Sequence, residues 1–268
     1  MQEKPEEKKA VDTGFVAGIY NYCDRWCDRC KFQDKCISYT LGTRVRSRTK
    51  LAPDAPSVLD DKEYMMARLK LILDTTQQVL RELAQERNVP VEDIYHVEDL
   101  SKRTYWGEDY EDLVGDDERI SCQVANDDIA LCCRIYDTLG GTCLDRVNKQ
   151  LEEDSTLNTP EVEEAVEVVS WYLDIMRGKF KRALYGYFSC SLKTAEESVQ
   201  EKFDFQGSAK VALLALQASQ EAWGKLLQLL PSCERDIRHL LIVVKQLELD
   251  VHRCFPNVLA FKRPGLDE

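Results

Sequence analysis

From about residue 60 onward, apolar residues recur every three or four positions with charge filling the gaps, the period of an amphipathic helix rather than a strand. Met65, Leu69, Ile72, Val79 and Leu83 keep this step through a predicted helix over 61–88, which ends near Asn88 and Pro90. A shorter helix is predicted over 91–103. The acidic stretch WGEDYEDLVGDDE reads as a solvated loop. After it comes a helix over 119–152 that the paired Gly140 and Gly141 should interrupt or kink. Thr159-Pro160 opens the next helix, with Thr as N-cap, Pro at the first position and Glu161, Glu163 and Glu164 at the positive end of the dipole. Its apolar stripe runs from Val162 through Val166, Val169, Leu173, Met176, Phe180 and Leu184 to Tyr187. Beyond Gly207 a helix rich in small residues (Ala209, Ala212, Ala215, Ala218, Ser219, Ala222) would let a neighbour approach closely. Pro231 ends it, Ser232 is placed to cap the next, and Ile237, Leu240, Val244, Leu247 and Val251 continue the packing pattern to about Cys254. With no repeat and no alternating strand pattern, the fold class is all-α, a helical bundle.

The N-terminal fifth departs from this pattern. Cys23, Cys27, Cys30 and Cys36 crowd into YCDRWCDRCKFQDKC, and the spacing C-x3-C-x2-C-x5-C offers four soft sulfur ligands on one short piece of backbone. Such a set suits a 4Fe–4S cluster or zinc, the cluster slightly favoured because one C-x2-C pair is less than a zinc ribbon supplies. A helical Cys23–Cys30 segment would put Cys23, Cys27 and Cys30 on one face, with Cys36 closing the site. Arg25, Arg29, Lys31 and Lys35 would favour the thiolates, and the surrounding aromatics could wall off the centre. Four ligands leave no vacancy, which indicates a structural, redox or sensing role. The chain thus divides into a disordered tail (1–12), a cysteine-rich metal-binding module (13–50), a linker (51–59), a helical bundle (60–256) and a C-terminal tail (257–268).

Cys27 to Cys36, read as C-x2-C-x-F-x3-C, resembles the clasps that hold auxiliary iron–sulfur clusters in some nucleases and radical enzymes. Cys23-x3-Cys27-x2-Cys30 also resembles the three-cysteine signature of radical S-adenosylmethionine enzymes. There the resemblance implies a strand-rich barrel and an aromatic residue before the third cysteine, where this chain has Arg29 and no strand pattern. More broadly, YNYCDRWCDRC followed by Phe32 and Cys36 is similar to the opening of bacterial proteins of uncharacterised function with helical C-terminal regions. GSAKVAL at 207–213 and the Trp171-Tyr172 helix share that similarity, which implies no activity.

The net charge of −12 argues against nucleic acid as the main partner. One basic run, Arg44, Arg46, Arg48 and Lys50, is either a solvated linker or a docking patch for an acidic partner. A charged opening without an apolar core predicts no signal peptide. Apolar runs fall short of the roughly 18 residues a membrane span needs, so the expected place is the cytoplasm, without membrane attachment. Eleven cysteines, an odd number, then read as mostly reduced, and Cys122, Cys132, Cys133, Cys143, Cys190, Cys233 and Cys254 as packing residues.

Two other readings stay open. A bundle can gather carboxylates and histidines, and Glu248 with His252, one turn apart, are the catalytic candidates of a bundle-based oxidoreductase; Asp93-x-x-His96 and Asp236-x-x-His239 are weaker substitutes. Glu248 lies near the apolar stripe and would need a partner such as His252, Lys179 or Arg182. Alternatively the small-residue helix serves a non-catalytic interaction module, packing against a second copy or a protein partner. Trp171, Tyr172 and Trp223 read as core or interface residues.

Overall fold

The structure, a computed structural model, describes residues 12–49, 62–94, 109–192 and 199–267. Every regular element among them is helical, so the fold is all-α. Residues 1–11 of the tail predicted over 1–12, the linker at 51–59 and positions 95–103 of the short helix lie outside the described residues. The chain divides into two compact units, one of residues 1–20 and 25–104, the other of residues 21–24 and 105–268.

In the first unit, α1 (Ile37–Thr49) packs along α2 (Lys62–Arg87), which is followed by the single turn of α3 (Val91–Ile94). Ile37, Val79, Leu83, Ala84 and Ile94 form the core, with Phe15, Tyr20, Leu41 and Val45 against it. Two arginine–carboxylate forks, Arg44 to Glu86 and Arg48 to Glu82, bind α1 to α2. Half of the basic run is therefore engaged within the chain. The periodic stripe of α2 is only partly buried: Val79 and Leu83 are covered, whereas Leu69 is 49% exposed.

The second unit is a bundle of α4 (Asp109–Asn126), α5 (Asp128–Glu153), α6 (Pro160–Cys190), α7 (Val199–Leu229) and α8 (Glu234–Cys254). At the start of α6, Thr159 accepts from the Val162 amide and Pro160 takes the first position, as the sequence predicts. α6 and α7 run antiparallel: Arg182 meets Asp204 towards one end, and Glu161 and Glu164 border one cleft with Lys225 at the other. The small residues of α7 are what this pairing requires, and Ala209, Ala212, Ala215, Ser219 and Ala222 are buried within the chain itself. At the centre, Tyr136 of α5 shares a hydrogen bond with Ser219 (2.5 Å) and accepts one from the Trp223 indole (3.2 Å).

Several local expectations are corrected. The acidic stretch expected to be a loop is helical from Asp109, because the element continues into Ile120 and Val124, which bury in the core, and Asp117 accepts from the Tyr185 hydroxyl. The expected break at Gly140-Gly141 is absent from α5. The interruption lies earlier, where Asp127 caps α5 by accepting from the Ile129 amide at 2.9 Å. Gly140 instead makes room for α6, since a Cβ there would stand 2.7 Å from Leu173 Cδ2. α7 begins at Val199, ahead of Gly207, and Ser232 donates to Gln150 rather than capping α8. The closing segment is short of helix but packed: Phe255, Val258 and Phe261 are buried, and Lys210 pairs with Asp267 at 2.7 Å.

Candidate functional site

None of the four cysteines lies on an α-helix: Cys23 sits in a bend and the other three at 3-10 turns. Arg25 takes a left-handed backbone (φ +59°), which a helix through Cys23–Cys30 cannot accommodate, and a 3-10 turn follows at Cys27–Arg29. Cys27 opens that turn and Cys30 closes it, its amide bonded to the Cys27 carbonyl at 3.0 Å. A second turn, Gln33–Lys35, ends at Cys36. The one-face arrangement expected from helical spacing is therefore replaced by consecutive turns.

Local contacts fix this path. Gln33 Nε2 donates to the Cys27 carbonyl at 2.5 Å, tying the two turns together, and Val16 N–H donates to the Lys35 carbonyl at 3.0 Å. The Phe32 amide donates to Cys30 Sγ at 3.4 Å. All four cysteines are half-buried. Arg29 stacks on Trp26 with its guanidinium carbon 3.9 Å from the ring centroid, and Lys31 lies over Phe32 at 5.2 Å.

Cys23 belongs to the four-residue segment that groups with the bundle, and the other three cysteines to the first unit. That segment is held by side chains whose role the sequence does not announce. Lys179, buried, donates to the Asn21 carbonyl at 3.0 Å; Trp171 Nε1 donates to the Asp24 carbonyl and the Tyr172 hydroxyl to the Asp24 carboxylate, each at 3.0 Å. The Tyr22 ring seats against Gly207, where a Cβ would come within 2.2 Å of it, and meets Phe203 and Phe261 edge-on and tilted. Trp171 and Tyr172 are thus anchors for the residues flanking Cys23. The spacing of aromatics along α6 was the available signal, but nothing in it named Asp24 as their target.

Among the described residues, no three His, Cys, Asp or Glu side chains gather into a group that could hold a metal ion. The cysteines are the soft sulfur donor type that zinc and iron–sulfur clusters take, although their sulfur atoms are not gathered into a ligand set. Comparison with known family models, curated proteins and solved structures found no match.

The second candidate pair has a different character. Glu248, its side chain 14% exposed, accepts from Lys245 at 2.7 Å and from Gln217 at 3.4 Å, and these partners hold its carboxyl below the usual range. Its principal partner is Lys245, whereas Lys179 and Arg182 serve Asn21 and Asp204. Among the weaker substitutes, Asp236 pairs with Arg146, His239 is exposed and His96 lies outside the described residues. Of the remaining thiols, Cys133, Cys143 and Cys233 are buried as packing residues, whereas Cys122 is exposed. Burial pushes Cys133 and Cys143 up to about 12 and Cys254 up to about 11, far from a reactive thiolate at neutral pH. No helix among the described residues is long and apolar enough to cross a membrane.

Proposed function

We propose that the chain is a metal-binding helical protein in which Cys23, Cys27, Cys30 and Cys36 hold a 4Fe–4S cluster or zinc for a structural, redox or sensing role in the cytoplasm. The observation that carries the reading is the placement of cysteines at successive turn ends within one short segment, with the Phe32 amide directed at Cys30 sulfur. Cys27, Cys30 and Cys36 supply three thiolates from the first unit, and Cys23 is the fourth by sequence spacing. Bound there, zinc would fix the turns, whereas a cluster would add one-electron chemistry. The protein's part is electrostatic and positional. Arg25, Arg29, Lys31 and Lys35 offset thiolate charge, and Gln33 keeps the two turns in register.

The test is anaerobic purification followed by metal and sulfide analysis and an absorption spectrum, with the Cys27→Ser, Cys30→Ser variant alongside. Iron, acid-labile sulfide and broad visible absorption, all lost in the variant, support the cluster. One colourless zinc lost in the variant supports a structural clasp. Stoichiometric metal retained by the variant, or a native chain without metal, defeats the assignment.

A further inference from the structure

A cavity of about 210 Å³ opens between α4, α5 and α6, remote in sequence from the cysteine turns. Its floor is the buried Val124, Cys133 and Phe180; its rim carries Arg134, Arg177 and Lys181, with Ser121 at the mouth. None of its lining residues is acidic, in a chain of net charge −12. Three cations around an apolar floor are a local reversal of the prevailing charge.

The cations are not consumed by their neighbours. Arg134 donates to the Ala125 carbonyl at 2.9 Å, which satisfies the negative end of α4 and leaves its other N–H groups available. Arg177 meets Asp137 at a long 3.3 Å and stays 65% exposed. Lys181 pairs with none of the described residues. Asp137, the acid that Arg177 meets, does not itself line the cavity.

We propose that this cavity binds a small monocarboxylate whose apolar body is about the size of a phenyl ring. A cavity of roughly 150 Å³ is enough to hold benzene, so the volume here admits a ring and leaves space for its head group. The ring would lie against Phe180 and Val124, and the carboxylate would accept from Arg177, Lys181 and Ser121. Guanidinium and ammonium groups at the mouth of an apolar pocket discriminate by charge, while the floor discriminates by size.

Benzoate is the probe, titrated into the full-length chain and followed through the methyl resonances of Val124 and Ala130. Benzyl alcohol and benzylamine serve as neutral and cationic controls. The expected result is saturable binding of benzoate, binding of the alcohol weaker by about tenfold, and no response to the amine. Arg177→Gln with Lys181→Gln, both on exposed helix surface and checked for retained fold by circular dichroism, should weaken benzoate by about tenfold or more. No saturation at about 10 mM benzoate, an equal response to benzylamine, or undiminished affinity in the double variant would each overturn the proposal.

Discussion

Replacing Gly207 with alanine isolates the fit between α7 and the segment that carries Cys23. On helix propensity alone the change should stabilise, because alanine is better than glycine in a helix interior by about 0.8–1 kcal/mol. Here the added Cβ would stand 2.2 and 2.3 Å from Tyr22 Cδ1 and Cε1 and 3.0 Å from Phe261 Cζ, so the Tyr22 ring must leave its seat. Tyr22 is 4% exposed, and burial of a large side chain is worth about 1.5–3 kcal/mol. Its contacts with Phe203 and Phe261, at centroid distances of 5.6 and 5.5 Å, add roughly 0.5–1.5 kcal/mol each. Steric loss outweighs propensity gain, and Gly207→Ala should destabilise by about 1.5–5 kcal/mol. Urea denaturation of the native chain, both single variants and the Tyr22→Ala, Gly207→Ala double variant measures this as a cycle. In the Tyr22→Ala background the same Gly207→Ala change should be neutral or stabilising by up to about 1 kcal/mol. Stabilisation of similar size in both backgrounds would refute the seating of Tyr22 on Gly207.

Other contacts give sharper local tests. Tyr136→Phe strands the Ser219 hydroxyl and the Trp223 indole in a dry core and should cost about 1–3 kcal/mol in thermal or chemical unfolding, whereas an unchanged midpoint would mean that the network contributes nothing. Trp171→Phe with Tyr172→Phe keeps an aromatic ring at each position but removes both hydrogen bonds to Asp24, and should raise hydrogen exchange at residues 21–24 while leaving the bundle's unfolding free energy within about 2 kcal/mol of native. Arg263, with Lys210, holds the Asp267 carboxyl well below the usual carboxylate range. A carboxylate depressed in the folded state stabilises above its unfolded value of about 3.9 and loses that contribution as pH falls through the folded value. Acid titration followed at Phe261 should therefore show the closing segment loosening below about pH 4, a transition that Asp267→Asn shifts or removes.

The division between what the sequence disclosed and what it concealed follows the physics of each element. The cap at Thr159-Pro160 is a local device, and local chemistry suffices to read it. The helical period is equally robust, since Val162, Val169, Met176 and Leu184 all reach the core. The errors arose where tertiary contacts decide. Gly140 reads as a helix breaker from propensity, but its meaning is the close approach of Leu173. The acidic run before Arg119 reads as solvent-bound from charge, but Ile120 and Val124 carry the helix into the core. The crowding of the cysteines is plain in the sequence, whereas their turn geometry depends on Arg25 adopting a left-handed backbone, which composition does not signal.

The anchoring of residues 21–24 bears on why a cysteine should stand at position 23 at all. A short peptide with four thiols loses much conformational freedom on closing around an ion, and each residue already fixed reduces that loss. Lys179, Trp171, Tyr172 and the Gly207 seat fix Asn21, Asp24 and Tyr22, the three residues around Cys23, before any ligand arrives. On the proposed metal-binding reading, fixing Cys23 in this way would raise metal affinity without a ligand from the long helices. If so, Trp171→Phe with Tyr172→Phe should lower metal retention in competition with a chelator while all four cysteines remain intact, a loss that Cys122→Ser, at an exposed position on α4, should not reproduce. Equal metal retention in the anchor variant and the native chain would separate the bundle from the cysteine site and leave the anchors a purely structural role.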